Sequence, residues 1–236
     1  MSAGSAGQAA LGRPRLHLRQ TDSTNTRARA LAAAGAPHGT LITAGEQTAG
    51  RGRQGRMWSA PPDRALLCSL IVRDPSRLLP LATGVAVAEV AGLSGGRAQL
   101  KWPNDILLDG AKVAGILVEG RPQESWAVVG VGLNVAVRES DFPEELQGRA
   151  ATLGLDPVDI EPILDRLLDS LEVWLAADRD VVLDAVRGRD ALFGHTVRWA
   201  AGEGRADGID ADGGLRVVTS DRGVQTLTAG EVHLLR

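Results

Sequence analysis

The chain has 236 residues, 44% hydrophobic and 23% charged, with a formal net charge of −3. That length holds one large domain, or a main domain with a small appendage. The mildly acidic balance argues against a general nucleic-acid binder, whose surface is usually basic. The single Cys68 excludes an internal disulfide and fits a reducing, cytoplasmic setting. It sits in an apolar run with no partner for nucleophilic chemistry beside it, so it reads as core. No stretch approaches the roughly 18 apolar residues of a membrane span. Residues 1–14 lack the basic start and apolar run of a signal peptide and read as a disordered lead.

In chain order, Arg15 to Arg19 alternates apolar and polar residues and predicts a short strand. Thr21 to Asn25 (TDSTN) supplies N-cap residues for an Ala- and Arg-rich helix over Thr26 to Ala34, stopped by Gly35. Gly39 to Glu46 reads as a strand, and Ala65 to Val72 (ALLCSLIV) as a strand buried on both faces. Leu78 to Leu93 reads as a helix with Pro80 tolerated in its first turn. Two apolar runs around Asp109-Gly110 predict a hairpin. Trp126 to Val137 is a strand region with Gly130 and Gly132 inside it, a sign that something approaches the backbone closely.

Asp156 and Pro157 open the clearest amphipathic helix, with Ile160, Ile163, Leu164, Leu167, Leu168, Leu171, Trp174 and Leu175 at helical spacing. A second helix follows over Asp180 to Arg187. From Gly194 onward, five short strand candidates separated by Gly and Asp turns predict a small β-barrel, with a boundary near Leu192.

Four stretches hold more polar and Gly residues than a core needs. They are Asp22 to Asn25, Gly45 to Trp58 (GEQTAGRGRQGRMW), Lys101 to Asp105 with Lys112 to Gly115, and Gly130 to Asn134. Gly and Arg together suit a loop that wraps an anion with backbone N–H groups and guanidiniums. No P-loop pattern is present, so a nucleotide would not be held that way. The four His have no metal-ligand spacing.

TDSTN, EQTAGRGRQGRMW, KWPNDI with KVAGILVE, and VGVGLNV, in this order, closely resemble the bacterial biotin–protein ligases. The resemblance runs from about Leu16 to the C-terminus. It implies an α+β fold: a mixed central sheet with helices, resembling class II synthetases, over residues 15–191, and a small SH3-like barrel over 192–236. It also implies the chemistry. Biotin and ATP would form biotinyl-5′-AMP, and a Lys of a biotin carboxyl carrier domain of an acyl-CoA carboxylase would then take the biotin. ATP with Mg²⁺ and biotin are substrates in this scheme, and no permanently bound cofactor is expected.

Residue by residue, the resemblance assigns biotin to Ser23, Thr24, Asn25, Gln47, Gly50, Arg51, Arg53, Lys112, Gly115 and Gly132. It assigns ATP and the adenylate to Arg51, Arg53, Arg56, Trp58, Lys101, Asn104, Asp105 and Asn134. Lys112 and Arg53 would be catalytic, and Asp105 would be a Mg²⁺ ligand. Ser23 and Thr24 also have a plain reading as helix caps, and Trp58 as a core anchor.

About fifteen residues precede the first strand, too few for the winged helix-turn-helix of some relatives. No DNA binding, no repressor role and no membrane association are therefore expected, with a monomer or weak homodimer as the assembly. Two alternatives stay open. A lipoate- or octanoate-type ligase would share the fold, and a nucleic-acid-binding module would use the Arg-Gly loop.

Overall fold

Aliphatic runs punctuated by Gly and Asp turns build two sheets. The computed structural model describes residues 10–221 and 223–235. The first sheet holds β1 (Arg15–Thr21), β2 (Leu41–Gln47), β3 (Ala65–Arg73), β4 (Ala98–Lys101), β5 (Asp105–Leu108), β6 (Ala111–Arg121) and β7 (Trp126–Asn134). Its order is β1-β2-β3-β7-β6-β5-β4. The β1–β2 pair is parallel and every other pair antiparallel. A parallel pair needs a crossover, and helix α1 (Thr24–Ala33) provides it. The β5–β6 hairpin turns on Asp109 and Gly110, at φ 51° and 86°. Asp and Gly tolerate that left-handed geometry.

The side-chain period of two divides β3 between two layers. Leu66, Cys68, Leu70 and Val72 join the main core with α2 (Leu79–Gly92) and α3 (Ile160–Ala176). On the other face, Ile71 packs beneath α1 with Ile42, Ala28 and Ala32. Ala65 and Leu67 pack with Val137 beneath Trp58 and Phe142. That face carries a helix at one end and a loop at the other. Between them lies Ser69, a polar residue in an otherwise apolar run.

The expected helix after Asp156 begins later. Pro157–Asp159 forms a 3-10 turn in which Asp159 accepts the Asp156 N–H at 3.0 Å, and the α-helix starts at Ile160. Residues 11–14 also depart from the expected disordered lead. Leu11 is buried and its N–H donates to Glu172 (3.0 Å), while the Gly12 N–H donates to Gly39 O (2.9 Å). An apolar side chain and two satisfied backbone donors hold this segment on the body; residues 1–9 lie outside the described ones.

Helix α4 (Arg179–Arg187) leads to the second sheet: β8 (Thr196–Trp199), β9 (Gly202–Ile209), β10 (Leu215–Thr219), β11 (Gly223–Leu227) and β12 (His233–Leu234). It is wholly antiparallel, in the order β11-β10-β9-β8-β12. The connection to it runs along the edge of the first sheet. Leu100 N–H donates to Arg189 O (2.8 Å), and Ala191 N–H donates to Leu100 O (3.0 Å). Leu192, Val197, Ala206, Ile209, Leu215 and Val217 share one buried cluster with Leu100, Trp102 and Val182, so the core does not break at Leu192. No helix among the described residues is long and apolar enough to cross a membrane.

Candidate active site

The site lies on the sheet face between α1 and the Arg loop. Gly130 and Gly132 alternate along β7 and face the same side, directly opposite Leu117 and Gly115 of β6. A Cβ at Gly130 would collide with Asn25 Oδ1, and one at Gly132 would collide with the Trp58 ring. These glycines are therefore floor positions, one beneath α1 and one beneath the loop.

At the α1 end the chain enters the helix through Ser23, which makes no side-chain capping bond. Capping therefore does not account for this residue. Thr24 N–H and Oγ1 both lie on Gln47 Oε1, at 2.7 and 3.0 Å. Ser69 Oγ lies 2.8 Å from Thr24 Oγ1 and 2.6 Å from Asn25 Oδ1. Asn25 Nδ2 donates to Leu117 O (3.3 Å) and to Glu119 (3.0 Å). Asn25 is thus bound into the scaffold beneath the site. Ser23, Thr24 and Asn25 are all buried.

The loop folds back on itself. Trp58 N–H donates to Gly50 O (3.0 Å), Gly52 N–H to Arg56 O (2.7 Å), and Arg51 bridges Met57. Gln54 and Gly55 turn its tip with φ of 54° and 76°. A Cβ at Gly50 would collide with the Trp58 carbonyl oxygen and come 2.8 Å from Gln47 Nε2, so the two ends of the loop close on a position that only glycine fits. Arg51 pairs with Glu119 (3.0 Å), and Arg56 pairs with Glu231 (2.7 Å). Arg53 donates to Asn104 Oδ1 and to Gly230 O, both at 3.2 Å. Burial is the largest influence on its guanidinium and pushes its pKa down, against the raising effect of Asp105.

Trp58 packs over the Gly115–Gly132 pair. Its Cζ3 would sit 3.1 Å from a Cβ at Gly115, and its Nε1 is buried without a partner. The indole lies against both glycines, and it also anchors the loop on Ala65 and Leu67. Lys112 Nζ stands 5.8 Å from the Trp58 ring centre and 2.6 Å from Asp105 Oδ1. A bulge in β6 opposite Ile106 and Leu107 leaves Val113 as the extra residue, and Lys112 pairs with Leu107. The Lys112 backbone also bonds residues 149–151: its N–H reaches Arg149 O (2.8 Å), and Ala151 N–H reaches its carbonyl (2.7 Å). Asn134, expected near adenine or ribose, donates to Ala151 O (2.9 Å) and so braces the segment that holds Lys112.

Asp105, expected to ligate Mg²⁺, has its carboxylate on Lys112. Asn104 Nδ2 donates to Ile116 O (3.0 Å), which fixes its oxygen toward Arg53. Lys101 is largely buried and its pKa is pushed down, chiefly by desolvation. Arg53, Arg56, Lys101, Asn104, Asp105 and Glu231 line a small recess where the two sheets meet. Among the described residues no group of three metal-binding side chains occurs. The arrangement sets a neutral polar cluster at Thr24 and Gln47 near a recess lined by Arg53 and Lys101, with Lys112 on Asp105 beside it.

Sequence reasoning missed Ser69, Glu119 and Glu231 as site residues. A Ser and a Glu inside apolar strands were the available signals.

The Biotin/lipoate A/B protein ligase family profile matches residues 17–135, half of the chain. The chain belongs to this family. The biotin–[acetyl-CoA-carboxylase] ligase of Mycobacterium tuberculosis is 36% identical over 91% of this chain and 87% of its own length. The enzyme of that name from Paracoccus denitrificans is 33% identical over 91% of this chain and 98% of its own. The structure of the Aquifex aeolicus biotin protein ligase with biotin and ATP superposes with a TM-score of 0.78 at 28% identity, covering 95% of this chain and 99% of that one. The bifunctional ligase/repressor of Bacillus spizizenii is 40% identical over 140 residues, and the chain spans only 43% of its length. The superposition on the Aquifex structure extends beyond the profile match and takes in the second sheet as well as the first.

Proposed function

We propose that this protein is an ATP-dependent biotin–protein ligase. One observation carries the reading: a neutral polar cluster at Thr24 and Gln47 and the cations Lys112 and Arg53 are gathered around one sheet face, with Trp58 over the Gly115–Gly132 pair beside them. A bicyclic ureido ring offers N–H donors and a carbonyl acceptor to the first. A carboxylate and a triphosphate need the second. The names of the Mycobacterium and Paracoccus relatives and the ligands of the Aquifex structure support the same substrates.

In this scheme the biotin carboxylate oxygen attacks the α-phosphorus of ATP. The bond from that phosphorus to the bridging oxygen breaks, and pyrophosphate leaves. The Lys112 ammonium would bridge the carboxylate and the α-phosphate, exchanging Asp105 for them. Arg53 and Lys101 would stabilise the charge on the phosphoryl oxygens, and Arg56 would leave Glu231 for the outer phosphates. Preorganised, half-buried cations serve this step better than acid–base groups would. A neutral Lys amine of the carrier then attacks the acyl carbon, AMP leaves, and the amine's extra proton goes to water. The carrier is the biotin carboxyl carrier domain of an acyl-CoA carboxylase, an assignment that rests on the relatives' names.

The Mg²⁺ ion enters as part of the MgATP substrate. Asp105 offers it one carboxylate, and the substrate's phosphates and water supply the rest, the usual habit of this ion.

The test is ATP–pyrophosphate exchange with and without biotin. Exchange should require biotin and fall about a hundredfold or more in Lys112→Ala. Exchange driven by lipoate or octanoate in place of biotin would overturn the biotin assignment.

A further inference from the structure

Glu119 has no role in the reaction as described, yet three side chains converge on it. It stands on β6 with its side chain mostly buried. Its Oε2 accepts from Asn25 Nδ2 at 3.0 Å. Its Oε1 accepts from Arg51 Nη2 at 3.0 Å and from Arg29 Nη1 at 3.3 Å. Arg51 roots the loop, and Asn25 neighbours Thr24. One carboxylate therefore touches both halves of the site.

Counting protons along the Asn25 arm gives a direction. An amide presents acceptor and donor ends, and its neighbours decide which points where. Glu119 and Leu117 O are both acceptors, so the Asn25 NH₂ must face them, and its Oδ1 must face Ser69. Oδ1 cannot donate, so the single Ser69 proton goes to Asn25. Ser69 can then only accept from Thr24, whose own proton has two inward acceptors, Ser69 Oγ and Gln47 Oε1. Gln47 is oriented independently, because its Oε1 receives the Thr24 backbone N–H at 2.7 Å. Every inward group thus draws the Thr24 proton into the protein. What Thr24 has left for a ligand is a lone pair.

We infer that Glu119 is a positioning residue that sets substrate specificity. Through Asn25 and Ser69 it fixes Thr24 Oγ1 as an acceptor, so the polar cluster selects a ring that brings an N–H donor. This rests on the biotin reading above and deepens it. A cyclic ureide brings that donor. A dithiolane or an alkyl chain does not, and would leave the buried oxygen unpaired, which is a strong ground for rejection.

The conservative change Glu119→Gln tests this. Arg51 and Arg29 would claim the glutamine carbonyl, so its NH₂ would face Asn25; the present Asn25 orientation then keeps the longer bond to Leu117 O and loses the one to residue 119, which favours a flip. Ser69 can then donate to Thr24, which leaves Gln47 Oε1 as the remaining inward acceptor for the Thr24 proton, in competition with the ligand. The probes are biotin and its two cyclic carbamate analogues, in which oxygen replaces one ureido N–H, with affinities read by titration calorimetry. The wild type should prefer biotin over one of these analogues by about tenfold or more. In Glu119→Gln that preference should shrink by about tenfold. An unchanged preference, with all ligands weakened equally, would overturn the inference and leave Glu119 a structural strut.

Ser69→Ala removes one of the two inward acceptors of the Thr24 proton, leaving Gln47 Oε1, and should move the preference in the same direction. It carries the test if Glu119→Gln does not fold. If the wild type binds neither biotin nor the analogues, the functional reading fails. The proton direction is then read in the free protein: the Asn25 side-chain NH₂ should exchange slowly with solvent in the wild type and faster in Glu119→Gln. Equal exchange would sink the inference by itself.

Discussion

At the scale of single residues, this site depends on positions where nothing fits but hydrogen. Gly130 lies under an Asn25 side chain that is held by Ser69, Leu117 O and Glu119. Gly130→Ala must push Asn25 out of at least one of those bonds. The expected loss is about 1–3 kcal/mol of stability, the usual range for overpacking, together with about tenfold or more in biotin affinity. Chemical denaturation and titration calorimetry on the same variant check both. Biotin affinity equal to wild type would show that the α1 end of the floor does not serve the ligand.

Cys68 is the opposite case, a side chain with no chemistry. It is buried, and desolvation pushes its thiol up to about 12. At pH 8 its thiolate fraction is then about one in ten thousand. A thiol reagent should label it only on unfolding. The raised pKa means that the folded state keeps its proton longer than the unfolded chain does. Its contribution is constant below about pH 9 and is lost as pH climbs from there toward about 12. Rapid labelling of the native protein at pH 8 would contradict this.

At the scale of elements, the Arg loop is a short closed turn whose cations already have partners. Arg51 holds Glu119, Arg56 holds Glu231, and Arg53 reaches Gly230 O. A bound triphosphate has to replace such contacts with stronger ones. Many of the loop's residues are Gly, whose ordering is costly until an anion compensates. Hydrogen exchange of Gly50 to Arg56 should therefore slow when biotin and ATP are added. Equal protection with and without ligands would mean that the loop is already set.

At the scale of the molecule, the second sheet is part of the same fold. Trp102 Nε1 donates to Gly213 O at 3.0 Å, Arg187 Nε donates to Ile209 O at 3.1 Å, and Arg179 pairs with Asp212 at 2.7 Å. The buried cluster runs through both sheets. Calorimetry should show one unfolding transition rather than two. A chain ending at Ala191 should be poorly soluble, because it uncovers Trp102, Leu100 and the α4 face. A stable, monomeric truncated protein would show that the sheets are independent units.

The sequence alone determined most of the elements and singled out the polar stretches on which the proposed site rests. A continuous apolar run marked β3, a small-residue run with Pro80 in its first turn marked α2, and helical spacing marked α3. Asp109-Gly110 marked its hairpin, and four Gly-rich polar stretches marked the site, because local backbone preference and apolar periodicity are written residue by residue. It did not reveal that Asn25 and Asn134 brace the site, that Trp58 covers Gly115 and Gly132, or that Glu119 joins Arg51 to Asn25. Nor did it show Leu11 packed on the body. These are contacts between residues far apart in the chain, and an amide or carboxylate carries no local mark of the partner it will meet. Only when β6, β7 and α1 are stacked does proton counting decide which atom is left to face a ligand.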